Sequence, residues 1–182
     1  MKIPTIDSLL ENELKDLYSA ETQLVKALPK IAKAATNADL QDAINAHLEE
    51  TKEQVIRLEK IGQLLGIKLT GVKCKAMEGL LEEGKEVFEM EAPPYVVDVA
   101  IIAGAQRVEH YEISGYGTAR ALAEHLGHDE AVKLLSETLD EESAADEKLT
   151  TICLESILSN VSGDMDEEEE EEDSNKLMKS NR

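Results

Sequence analysis

The chain has 182 residues, 39 of them acidic and 19 basic, for a formal net charge of −20. One domain is the default at this length. A hydrophobic content of 42% with only 3% aromatics makes Leu, Ile, Val and Ala the core builders, which suits a helical bundle better than a sandwich or barrel. The acidic balance excludes nucleic-acid binding through the phosphate backbone, which needs basic patches. No apolar run approaches a membrane span, and two distant cysteines, Cys74 and Cys153, make no disulfide framework. The expectation is a cytoplasmic protein.

The first predicted helix runs from about Asp7 to Ala35, with Asp7 or Ser8 as its cap. Its stripe is Leu10, Leu14, Leu17, Glu21, Leu24, Leu28, Ile31 and Ala35, in steps of three and four. Pro29 is expected to kink this helix without ending it. After a turn at 36–39, a second helix returns over about 39–65 and stops at Gly66. Its broad apolar face carries Leu40, Ile44, His47, Leu48, Thr51, Val55, Leu58, Ile61 and Leu65. Residues 67–94 form a connection too long for a hairpin loop. Met77, Leu80, Leu81, Val87 and Phe88 mark a short amphipathic helix in it, interrupted by Gly79 and Gly84. Pro93 and Pro94 open a third long helix to about His125, and a fourth covers about 129–159. Two helical hairpins joined by one long crossover form the ferritin-like arrangement of the four-helix bundle. The bundle domain is expected over 1–163. The remaining segment, 164–182, holds nine acidic and three basic residues and reads as a disordered acidic tail.

Carboxylates interrupt the apolar stripes. Glu21 stands among the leucines of the first helix. Glu109 and Glu112 fall in the series Ile102, Ala105, Tyr116, Ala119, Ala123, and Glu142 and Asp146 in the series Val132, Leu135, Leu139, Leu149, Cys153. Glu50 lies toward one edge of the second helix's apolar face, on the side of Ala43, His47, Gln54 and Ile61. All these acids sit near helix midpoints, so an antiparallel bundle brings them into one layer. Buried together without a counter-charge they would repel and cost several kcal/mol each. Bound divalent cations are the simplest remedy, and oxygen ligands suit Fe, Mn, Mg or Ca. The plainer alternative is that the acids are rim residues, are protonated, or pair with Arg57, Arg107 or Lys148.

These residues resemble the YciF-type ferritin-like stress proteins of bacteria. The resemblance lies in Asp16-Leu17-Tyr18-Ser19-Ala20-Glu21, His47-Leu48-Glu49-Glu50-Thr51 and Cys74-Lys75-Ala76-Met77-Glu78-Gly79-Leu80. It continues in Val108-Glu109-His110-Tyr111-Glu112-Ile113, Tyr116-Gly117-Thr118, and Glu137-Thr138-Leu139-Asp140-Glu141-Glu142 with Asp146. It implies a ferritin-like bundle, a homodimer and a dinuclear metal centre of iron type, with Glu21, Glu50, Glu109, Glu112 and Glu142 as ligands. The usual Glu-x-x-His is absent, since Glu53 follows Glu50 and Ala145 follows Glu142. Gln54 and Asp146, each four residues after its Glu, are the further ligand candidates.

The reading is therefore a protein with two iron ions, or manganese or another divalent metal, reacting with O₂ or peroxide in stress defence. Glu50 and Glu142 are the expected bridges. A non-catalytic structural or interaction protein on the same fold is the alternative. His47 reads as a polar contact at the core edge, and Tyr18 and Tyr116 as packed tyrosines. Gly115 and Gly117 are read as permitting close helix approach.

Overall fold

The computed structural model describes residues 3–161, so the acidic segment 164–182 lies outside the described residues. Helix α1 spans Ile6–Ala34 and α2 Ala38–Leu65. The crossover holds α3 at Lys75–Glu86, followed by a 3₁₀ turn at Val87–Glu89. Helix α4 spans Pro94–His125 and α5 Asp129–Thr151. The last continues as a π-helical segment, Ile152–Leu158. Its wider turn places Ile152 and Ile157, five residues apart, both against the core.

The helix ends follow local chemistry, with two departures from expectation, at the start of α1 and within α3. Thr5, not Asp7 or Ser8, caps α1: its hydroxyl accepts from Ser8 N at 3.1 Å, and Ser8 Oγ accepts from Thr5 N at 3.0 Å. This reciprocal box satisfies two donors that the first turn leaves free. Helix α3 runs unbroken through Gly79 and Gly84, because Cys74 caps it and one apolar side packs on α1 and α4. The π-helical segment carries the fourth bundle helix to Leu158, near the expected end. Pro29 sits exposed within α1, which continues to Ala34. At Gly66 the chain takes a left-handed conformation, φ 67°, and Ile67 N bonds back to Gly62 O at 2.8 Å.

Neighbouring helices run antiparallel. Across α1 and α4, Glu21 meets Tyr116 and Thr36 meets Asp98. Across α2 and α5, Gln54 meets Glu142 and Lys60 meets Glu130. Around the bundle the order is α1, α2, α5, α4, the ferritin-like topology expected from the long crossover. Gly115 does permit close approach, since a Cβ there would stand 2.8 Å from Leu17; at Gly117 a Cβ would meet nothing.

The core is in two parts. One apolar cluster gathers Leu24, Leu28, Ile44, Ile101, Ile102 and Leu149, with Met77 from the crossover. The other gathers Leu10, Leu14, Leu17, Leu58, Ile61 and Leu135. Between the two clusters the buried side chains of α2, α4 and α5 are polar, and Glu21 stands at the same level on α1. Asp98, missed by pattern reading because it interrupts an apolar run, fastens the α1–α2 turn. It accepts from Thr36 N at 2.7 Å, Thr36 Oγ1 at 2.6 Å and Asn37 N at 2.9 Å. Among the described residues no helix is long and apolar enough to cross a membrane.

Candidate metal centre

Each bundle helix delivers buried polar groups to the layer between the two apolar clusters. Helix α1 supplies Glu21, and α2 supplies His47, Thr51 and Gln54. Helix α4 supplies Glu109, Glu112 and Tyr116, and α5 supplies Thr138 and Glu142. The spacings are helical: residues three, four and seven apart share a face, so the packing that buries the leucines buries these groups too.

His47, Glu109, Glu112 and Glu142 each present a ligand atom within 4.8 Å of the others. His47 Nε2 lies 3.6 Å from Glu109 Oε1 and 4.0 Å from Glu142 Oε2. Its Nδ1 lies 3.6 Å from Glu50 Oε2. Tyr116 donates its hydroxyl hydrogen to Glu21 Oε1. Gln54 Nε2 donates to Glu142 Oε1, and to Glu141 Oε2 at 3.1 Å. Glu141 is held by both terminal nitrogens of Arg57 at 2.8 Å, and Arg57 also donates to Thr138 Oγ1 at 2.7 Å. That forked pair is the cationic flank of the layer.

The layer is short of positive charge. Burial pushes the carboxyls of Glu21 and Glu112 well above the ordinary range, and the other acids of the layer push them further. Burial and then Glu142 raise Glu109 in the same way. Burial also raises Glu142, against the opposing effects of Glu109, His47 and Gln54. Burial and the Glu21 and Glu112 charges hold the Tyr116 hydroxyl well above its usual range.

Among the described residues, eight buried side-chain N or O atoms lack a hydrogen-bond partner, and all eight lie in this layer. They are Glu21 Oε2, both nitrogens of His47, Gln54 Oε1, Glu109 Oε2, both oxygens of Glu112, and Glu142 Oε2. Buried polar atoms are paired almost everywhere in folded proteins. Seven carboxylate or imidazole atoms left bare at one place fit a cation: the donor set is oxygen with one imidazole, which suits iron, manganese or zinc. The layer could hold a metal ion.

The structure brings together Glu21, Gln54, Glu109, Glu112 and Glu142 of the sequence-predicted set. Two others stand apart. The Glu50 side chain is 51% exposed, at the rim beyond His47, and the imidazole beside it lowers its carboxyl. Asp146 accepts from Gln106 Nε2 at 3.0 Å and lies 3.4 Å from His110 Nδ1, at the edge of the layer. His47 takes the inner position instead; its place on the apolar face was the signal, and it was read as a core-edge contact. Tyr18 bonds Glu59 outside the layer, and His110 is exposed. Both cysteines are free, and Cys74 Sγ lies 3.0 Å from Tyr111 Oη, itself bonded to Asp16.

Known proteins share this architecture. The model of the family described as Domain of unknown function (DUF892) matches residues 5–162. Protein YciF of Escherichia coli (strain K12) is 48% identical over 158 residues, covering 86% of this chain and 95% of YciF. The crystal structure of the E. coli stress protein YciF superposes with a TM-score of 0.81 at 49% identity, over 83% of this chain and 96% of that one. YcfI from Rhodopseudomonas palustris, for which a structural role has been suggested, gives 0.79 at 49% identity, over 82% and 96%. A protein from Xanthomonas campestris pv. campestris (XCC3681) gives 0.69 at 17% identity, over 88% and 99%, a likeness of fold. With its bundle, its polar layer and these matches, the chain belongs to the YciF-like DUF892 family.

Proposed function

We propose that the layer binds two divalent metal ions, iron first and manganese as the alternative, and that the protein acts in stress defence. The supporting observation is the set of partnerless ligand atoms, drawn from all four bundle helices and confined to one layer. Reduction of O₂ or hydrogen peroxide is the chemistry that iron(II) supplies when bound in such a site.

The chain's own residues prepare the place. Gln54 fixes one oxygen of Glu142 and leaves the other free; Tyr116 does the same for Glu21. Hydrogen bonds of this kind orient ligands and set their basicity. The apolar clusters on both sides exclude water and so strengthen every charge interaction within the layer. His47 stands between Glu109 and Glu142 on one side and Glu50 on the other, at 3.6 to 4.0 Å, and so joins the layer to the rim.

Anaerobic loading with Fe(II), then admission of air, tests the reading through metal content and the absorption spectrum. Two irons per chain and a new near-ultraviolet band are expected. No bound metal, or full metal content in Glu142→Ala, overturns it.

A second reading keeps the fold as a structural or interaction protein, in line with the role suggested for the R. palustris relative. It draws on the raised carboxyls: protonated, they are neutral and tolerate burial. Identical unfolding temperatures with and without metal would favour it. A cytoplasmic homodimer is the proposed working form, supported by the exposed apolar residues Phe88, Met90, Tyr95 and Val96 around the end of the crossover. Sedimentation at twice the 20.0 kDa chain mass checks it.

A further inference from the structure

A cavity of about 220 Å³ reaches from His47 and Glu109, at the edge of the polar layer, into the apolar half of the bundle beneath the crossover. On α4 its lining extends from Ala100 to Glu109, about 13 Å of helix axis, so the space is elongated along the bundle. Its walls are aliphatic, with Leu24, Leu28, Ile44 and Ile101 among them. The polar groups are confined to its edges. Glu50, Glu141 and Lys148 offer both signs of charge, and Phe88, 42% exposed, stands where the lining meets solvent.

The space is kept open at a cost. Gly104 on α4 and Gly84 on α3 both line it, and a Cβ at either would meet nothing within 4 Å. Glycine within a helix is less stable than alanine by about 1 kcal/mol, and an unfilled apolar void forfeits contacts. Neither residue takes a positive φ, so backbone conformation does not demand glycine there. An apolar cavity of about 150 Å³ admits benzene and stays dry, so this larger one has room for roughly nine carbon atoms.

We propose that this cavity is the substrate site of the metal centre, taking an uncharged aliphatic chain of about nine carbons and holding one end of it against His47 and Glu109. The proposal rests on the reading of the polar layer as a metal site. The aliphatic walls select an uncharged chain along their length, since a charge buried among them would find no partner. It selects length through the reach from the surface to His47.

The test uses the full chain and the straight-chain alkan-1-ols from butanol to dodecanol, titrated by calorimetry. Affinity should rise about fourfold per added methylene up to eight to ten carbons and then level off. Gly104→Leu should weaken octanol binding roughly tenfold or more by filling the space, and Gly84→Leu, on the peripheral α3, should do so where the first variant folds poorly. Gly104→Ala should bind octanol within about twofold of wild type, since its methyl group meets nothing. With Mn(II) bound in the layer, octanol proton resonances should broaden, one end of the chain more than the other. A flat response along the series, or wild-type affinity in both leucine variants, overturns the proposal. So does bound Mn(II) that leaves bound octanol unbroadened. Failure of Mn(II) to bind while the length series holds overturns the metal reading and the placement beside it, and the cavity keeps its ligand class.

Discussion

The amide of Gln54 links two carboxylates of opposite standing. It donates to the buried Glu142 and, at 3.1 Å, to Glu141, which the Arg57 fork holds at the flank. One neutral side chain thus ties an uncompensated acid to a compensated one. Gln54→Ala is expected to release Glu142 and lower metal affinity about 10- to 100-fold, the effect of removing a ligand's supporting hydrogen bond. Competition with a chelator of known affinity measures it.

Glu112 is the sharpest case of function set against stability, because both its oxygens are buried without a partner. Glu112→Leu should abolish metal uptake and raise the stability of the metal-free chain at pH 7 by about 1–3 kcal/mol. Denaturant unfolding with and without chelator reads both effects. A destabilised, metal-replete variant is the contrary result.

Glu50 and Glu142 were the sequence's two bridging candidates, and the structure separates them by burial. Glu142→Ala is expected to lose bound metal, whereas Glu50→Gln should keep full metal content with affinity within about tenfold of wild type. Metal analysis of the two purified variants distinguishes them.

The pH dependence follows from the raised carboxyls. Glu21, Glu109, Glu112 and Glu142 hold protons more tightly folded than unfolded, where the ordinary value is 4.5. Their contribution to metal-free stability is therefore fully present below about pH 4.5 and lost as pH rises through the raised values. Saturating divalent cation displaces those protons and binds better as pH rises, so it should flatten or reverse the decline. Urea midpoints between pH 4.5 and 8, with chelator and with Mn(II), give the two curves.

Asp98 is a structural counterpart to these acids. Asp98→Ala removes three hydrogen bonds to the α1–α2 turn and should cost about 2–4 kcal/mol while leaving metal affinity unchanged. Unfolding and chelator competition on the same preparation separate the two effects.

The helices and the bundle were legible because the three-four rhythm of leucines is a property of each segment by itself. Glu21, Glu109, Glu112 and Glu142 were legible for the same reason: each breaks its own stripe. The relative depth of Glu50 and His47 was not legible, because a helical wheel gives an angle but not the depth at which neighbouring helices close over it; the structure buries His47 and leaves Glu50 at the rim. Asp98 and the Arg57 fork were invisible to periodicity. Their partners lie about 60 to 85 residues away in sequence, and only the packed bundle brings them within reach. The cap at Thr5 was missed by two or three residues, the usual uncertainty of a helix end.

The two apolar clusters give the molecule a seam. Above and below the polar layer, each half-core is held by its own leucines, and across the layer the metal-free chain has helix backbone and a few polar contacts in place of packed hydrocarbon. Cations bound there would rivet the halves together, so the two ends should exchange their amide hydrogens separately when the seam is empty and as one body when it is filled. Metal supply would then set the cooperativity of the whole fold, and a cell short of metal would hold a looser molecule with the same shape.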